Sequence, residues 1–186
     1  WAPFIIKATD YSWNNGYGIA RNNGANTFLS FVNQWNANFV SSALAVSTNT
    51  IITEIYNQTD VRMFYNENLE GTDPFTTAIS NSNNFLYLGI SPNAPVSDPL
   101  DGDIAEAILI NRGFNDAERI ITHNYLAAKY GLALGVNDVY TMDDAGNGNY
   151  DFEVAGIGQA ADGAYHRDAR GTGVVRIWNP VNLSNG

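Results

Sequence analysis

Asp101, Asp103 and Glu106 place three carboxylates in the six-residue stretch DGDIAE. Hydrolysis of a glycosidic bond uses this equipment: one carboxylic acid protonates the leaving oxygen, and another carboxylate acts as nucleophile or base. A retaining mechanism also asks that the two carboxyl groups stand about 5 Å apart. On a regular strand, Asp101, Asp103, Ala105, Ala107 and Leu109 face one way, and Ile104, Glu106, Ile108 and Ile110 face the other. Alternation therefore parts Glu106 from the aspartates, unless a bulge re-aims the chain between Asp103 and Glu106. The stretch reads first as a strand that carries acids.

A second oxygen-rich stretch, TMDDAGNGNYDFE, offers Asp143, Asp144, Asn147, Asn149 and Asp151, with Glu153 following and Gly146 and Gly148 between. Hard cations take six to eight oxygen ligands, so calcium is the cofactor this pattern suggests. The spacing is not that of an EF-hand, and an Asx-rich loop bonding its own backbone is the alternative reading. Asp98, Asp101 and Asp103 form a weaker acidic cluster. His123 and His166 are the two histidines and cysteine is absent, so neither a zinc site nor a thiolate nucleophile is expected. No G-x-S-x-G elbow, P-loop or G-x-G-x-x-G occurs. Aromatics remain. Sugars stack on exposed Trp and Tyr, whereas core aromatics only supply apolar area. Trp13 and Tyr17 flank an amide-rich turn in YSWNNGYG, and Trp35 sits similarly in NQWNANF; these three are the candidate ligand contacts.

Composition narrows the partners. Nine basic against 19 acidic residues leave a formal charge of −10, which argues against nucleic acid, whose phosphates call for a basic face. No apolar run reaches the 18 residues of a membrane span, and WAPFIIKATD lacks the basic start and apolar core of a signal peptide. Asn is abundant at 25 residues and Gly adds 17, both suited to tight turns, while lysine occurs only at Lys7 and Lys129. Low Lys with high Asn, Thr, Ser and aromatics suits a secreted β-protein.

The elements that must position these residues follow from the pattern. Short β-branched and aromatic runs broken by Asn, Gly, Asp, Ser or Pro predict strands at 4–9, 16–21, 27–34, 38–45, 50–56, 61–66, 84–90 and 103–110, with turn material at 22–24 and 66–71. Eight short strands without helices between them predict a sandwich or jelly roll. One helix is signalled over 115–130. Asn115 caps it and Glu118 closes a capping box, while Ile120, Ile121, Tyr125, Leu126 and Ala128 form an apolar stripe expected to face the sandwich. Lys129 suits the last turn, and Gly131 suits the position beyond it. Two further strands, 152–158 and 173–180, follow an acidic stretch after Gly135.

The run Gly102, Ile104, Glu106, Leu109–Ile110, Asn111, Arg112 and then Ala117–Glu118 resembles the closing strand of laminin-G-like (LamG, concanavalin A-like) jelly-roll domains. The longer GDIAEAILINRGFNDAERIITHNYLAAKYGL, followed by Ala155–Gly158, is similar to versions in large secreted or surface proteins of Bacteroidetes-type bacteria. The laminarinase-type glucanases share only a spaced acid set, Glu-x-Asp-x-x-Glu, with Asp101 here replacing the first Glu. The resemblance implies an all-β concanavalin A-like jelly-roll sandwich with one packed C-terminal helix over 1–135, and the start of a second β-region over 136–186. It also implies a non-catalytic module of an extracellular or cell-surface bacterial protein, for carbohydrate binding or cell adhesion, with a glycan or surface protein as partner and sometimes calcium. WNPVNLSNG is similar to the middle of a family segment, so the chain is expected to belong to a larger multidomain protein. A spacer or assembly domain of an adhesin or filament is the alternative. A glycan hydrolase or lyase using Asp101, Asp103 and Glu106 is the third reading.

Overall fold

The computed structural model describes residues 1–9, 13–22, 24–34, 39–40, 43–45, 47–92, 98–171 and 176–179, with side chains at all of these but 39 and 40. It is mostly β, with several antiparallel sheets and one helix. The chain forms two compact units: Trp1–Thr48, Ile52–Phe64 and Leu69–Gly113 make the first, and Asn49–Ile51, Tyr65–Asn68 and Phe114–Gly186 the second.

In the first unit, β1 (Ala2–Ala8), β2 (Gly16–Asn22), β3 (Thr27–Val32), β4 (Phe39–Val40), β5 (Ile52–Tyr56), β6 (Asp60–Tyr65), β7 (Asn68–Pro74) and β8 (Tyr87–Leu88) follow one another, the 65–68 turn being counted with the second unit. One sheet has the order β4-β3-β2-β1-β8, and another has β5-β6-β7. The register of the first sheet assigns its faces, because directly opposed residues project to the same side. Ile6 lies opposite Gly18, Gly18 opposite Phe31, and Ala20 opposite Leu29. This face carries the core of Ile6, Ala8, Trp13, Ala20, Leu29 and Phe31, with Trp1 and Tyr87 packed against it. Glycine is needed here: a Cβ on Gly18 would stand 2.7 Å from the Ile5 carbonyl oxygen and 2.8 Å from the Phe31 ring. The other face carries Lys7, Tyr17 and Val32 in one row and Ile5, Ile19 and Ser30 in the next.

Several predicted strands form where expected, and others do not. The 84–90 run shortens to Tyr87–Leu88, 103–110 forms no strand, residues 43–45 of the 38–45 run lie outside any strand, and of 152–158 only Gly158 enters one. An alternating apolar pattern expresses a preference for a sheet, but only a bonded neighbour realises it. Conversely, NLEGTDP, counted among turn residues as far as Gly71, becomes β7, because a tight turn at Asn66–Glu67 returns the chain along β6. Asn66 takes the required positive φ of 52°. β7 is an edge strand whose Glu70, Asp73 and Pro74 discourage further pairing.

The second unit holds α1 (Asp116–Tyr130), a short 3-10 turn at Ala145–Asn147, and β9 (Gly158–Gln159), β10 (Tyr165–His166), β11 (Asp168–Arg170) and β12 (Arg176–Trp178). α1 begins as its sequence dictates. The Asn115 side chain accepts from Glu118 N–H, the Glu118 carboxylate accepts from Asn115 N–H, and Gly131 closes the helix at φ 64°. Its buried face is a surprise. Ala117, Arg119, His123, Asn124, Ala127 and Ala128 are buried, whereas Ile120, Ile121, Tyr125 and Leu126 are half-exposed.

Asn124 explains why a polar residue belongs there. Its amide donates to Ile120 O (2.9 Å) and Asn137 O (2.7 Å), and its carbonyl accepts from Val139 N and Tyr140 N, both at 2.9 Å. Glu67 extends the same device by accepting from Val136 N (3.1 Å) and Asn137 N (3.0 Å). The strandless segment 136–140 is thus held by these side chains together with one backbone bond, Asp138 N to Gly135 O at 3.2 Å. Asn124→Ala orphans two amide N–H groups and the Asn137 carbonyl, at a cost of about 2–4 kcal/mol. A urea unfolding curve is expected to show that loss, and Asn124→Asp, which keeps the acceptor but no donor, should also be destabilised.

Candidate functional site

The described residues of the first unit form a cleft with mixed polar and aromatic walls. Its volume is about 200 Å³, and Lys7, Gly16, Tyr17, Ile79, Ser80, Asn81 and Ser82 line it. Lys7 comes from the end of β1 and Tyr17 from the start of β2, neighbours on one face of the sheet. Gly16 is obligatory between them: its φ is 153°, and a Cβ would lie 1.8 Å from the Lys7 carbonyl oxygen. The opposite wall belongs to no strand or helix, and two asparagines fix it. Buried Asn33, at φ 62°, donates to Ala78 O (2.7 Å) and accepts from Ser80 N (2.6 Å). Asn84 donates to Ala8 O and Thr9 O, both at 2.8 Å. Ser82, also buried, accepts from Asn84 N at 3.2 Å. The opposite wall is therefore tied to the ends of β3 and β1.

Near Tyr17 lies an unusual acid. Glu54 on β5 turns its carboxyl inward, where Oε2 is buried without a hydrogen-bond partner, and the buried Ser30 hydroxyl of β3 lies beside it. Burial pushes the Glu54 carboxyl well above the ordinary carboxylate range, with Ser30 acting weakly the other way. Tyr17 is raised too, first by burial and then by the Glu54 charge. A lone acid in the β-branched run TIITEIY was the sequence signal for Glu54, and the polar run SNSNN was the signal for the cleft wall.

The three aromatic candidates separate. Tyr17 lines the cleft. Trp13 is corrected to a core residue: it is 5% exposed and its indole stacks on Phe31 at 5.6 Å, so no sugar reaches its face. Trp35 lies outside the described residues.

Asp101, Asp103 and Glu106 are all exposed on the strandless segment, so Glu106 is not sequestered among isoleucines as alternation suggested. The Asp101 carbonyl oxygen accepts from Arg21 at 3.4 Å, which fixes its backbone and leaves the carboxylate in solvent. No water-excluded cavity surrounds these acids to tune one of them as a proton donor.

The 143–151 loop closes on itself. Asn147 Nδ2 donates to Thr141 O (2.7 Å), Asn149 Nδ2 to Asp151 Oδ2 (3.3 Å), and Tyr140 OH to Tyr150 O (2.8 Å). Among the described residues no three Asp, Glu or His side chains are grouped to hold a metal. Crowded acids leave a trace nonetheless: Asp138 is raised by burial and by Asp143, Asp144 and Glu67, while a backbone hydrogen bond opposes the shift.

The histidines are structural. His123 is buried on α1 and lowered to about 4, by burial first and then by Arg119, with Glu67 opposing. His166 Nδ1 lies 3.8 Å from Glu118 Oε1, and Asp168 instead pairs with Arg176, which holds its carboxyl below the usual range.

Among the described residues no helix is long and apolar enough to cross a membrane. Compared with protein-family models, curated proteins and solved structures, the chain matches none.

Two outcomes test this site. Because Glu54 holds its proton more tightly folded than unfolded, the folded state binds more protons, and stability falls as pH rises from the ordinary carboxylate pKa toward the raised one. Thermal melts across pH 4–8 are expected to show Glu54→Gln relieving that loss, so that the variant gains on the wild type as pH increases. Millimolar calcium is expected to leave the melting temperature unchanged, since the loop amides already bond within it. A rise of several degrees, by mass action, would show that the 143–151 oxygens reorganise around the ion.

Proposed function

We propose that this chain is a non-catalytic glycan-binding module, built on a concanavalin A-like jelly roll and resembling LamG domains, from an extracellular or cell-surface bacterial protein. One observation carries the reading. Among the described residues the cleft walls offer an aromatic ring, an ammonium, two serine hydroxyls and a carboxamide, but no carboxylate, histidine or cysteine. That set recognises a polyol, through stacking on Tyr17 and hydrogen bonds from Lys7, Ser80 and Asn81, and lacks an acid–base pair. The mostly-β fold, with Glu54 of one sheet meeting Ser30 of another, supports a sandwich. The 102–131 resemblance supports the family and the surface location.

The test is a glycan array followed by calorimetry on the best ligand. Tyr17→Ala is expected to weaken binding about tenfold, in line with the loss of one stacked ring and its hydroxyl. Trp13→Phe, altering only the core, is expected to leave affinity unchanged. Folded protein that binds no glycan on the array would sink the proposal.

A second reading, assembly within a surface adhesin or filament, is favoured by a separate observation. Phe85 (80% exposed), Leu88 (51%), Leu109 (53%) and Ile110 (42%) stand in solvent within the first unit. Where exposed apolar side chains lie together they mark an interaction site, and these four are the candidates for such a patch. Under this reading sedimentation shows self-association that grows with concentration, and Leu109→Asp abolishes it. A monomer at all concentrations would count against assembly.

A further inference from the structure

We infer that the cleft takes an acidic sugar, its anionic group seated on Lys7 and its ring on Tyr17. This deepens the glycan-binding proposal and rests on it. The argument starts from what each cation does. Arg21 bonds Asn26 Oδ1 (2.8 Å) and the Asp101 carbonyl, Arg62 pairs with Asp60, and Arg119 pairs with Asp116. Arg176 pairs with Asp168, Lys129 bonds the Tyr125 hydroxyl, and Arg167 stacks on Tyr165. Arg112 and Arg170 are engaged as well. Among the described residues, Lys7 is the cation whose side chain has neither an anion nor a hydrogen-bond acceptor.

A chain with ten excess negative charges has carboxylates to spare for its cations, yet none among the described residues pairs with Lys7. No described lining residue is acidic, and Lys7 shares its row with Tyr17. Glu54 lies on β5 with its Oε2 buried, and no ion pair joins it to Lys7 among the described residues. The opposing wall is fixed by Asn33 and Asn84 before any ligand arrives, so its hydroxyl and amide groups need no reordering. An ammonium, an aromatic face and pre-set hydroxyl and amide groups fit a sugar ring that bears a carboxylate or a sulfate.

Calorimetry with three probes separates the possibilities: a galacturonic acid tetramer, its fully methyl-esterified form, and a sulfated galactose tetramer. The intact protein is expected to bind at least one anionic probe about tenfold or more tightly than the neutral ester, with the gap narrowing as salt is raised. Preference between the two anionic probes tells carboxylate from sulfate. Lys7→Met should erase the anion preference while retaining binding of the ester, and Lys7→Arg should restore it; circular dichroism melts confirm that both variants fold. Equal affinity for charged and neutral probes, or an anion preference that survives in Lys7→Met, overturns the acidic-sugar inference and leaves glycan binding standing. No binding of any probe, with an array that is also blank, overturns both.

Discussion

A carboxamide side chain carries the same donor and acceptor as a peptide unit, and this protein is organised around that equivalence. Much of the chain has no strand or helix to satisfy its backbone, and a backbone group left dry and unpaired is costly. Asparagine fills the gap. Asn33 binds the 78–80 segment as a neighbouring strand would, accepting one N–H and donating to one carbonyl. Asn84 grips the end of β1 through two carbonyls, and Asn66 accepts from Ile51 N at 2.9 Å. Asn124 does the same for 137–140 from the side of a helix. The same residue type tolerates positive φ, so Asn15, Asn26, Asn33, Asn66 and Asn149 also supply the bends that bring such segments round.

The proposed site grows from this arrangement. A loop held by two side-chain amides can lie against a sheet and expose its hydroxyl and amide groups without losing order. The cleft between Lys7, Tyr17 and residues 79–82 is made in that way, a rigid face on one side and a pinned loop on the other. Two ionisable groups are biased toward their neutral forms. Burial raises Glu54 and lowers His123, so each disfavours the charge that water would otherwise stabilise. Their pH dependences run in opposite senses, since ionisation of either works against the fold.

Some of this was written locally in the residues. The helix is the clearest case. Asn115, Glu118 and Gly131 act on their own backbone within a few residues, and cap, capping box and terminus stand where the spacing put them. Strands β1, β2, β3, β5 and β6 were legible for a similar reason, since β-branched runs between Asn and Gly turns leave few alternatives. Tyr17 could be singled out because an aromatic beside an amide-rich turn has a short-range signature. Trp13, four residues earlier, had the same signature and went into the core, because Phe31 reached it from another strand.

Local chemistry therefore decided the helix and its caps, the sequence positions of most strands and turns, the acidic balance, and the lack of thiol chemistry. Tertiary structure decided everything that depends on residues distant in sequence. It denied 103–110 a place in a sheet although its pattern alternates, and it made β7 from NLEGTDP although its residues favour turns. It set polar His123 and Asn124, rather than Ile120 and Ile121, on the buried side of α1. It also brought Lys7, Tyr17 and Ser80 to one cleft from three separated segments. The physical reason is common to all of these. Caps and turns bond within a few residues, whereas sheet pairing, burial and a binding cleft require partners whose identity no local pattern contains.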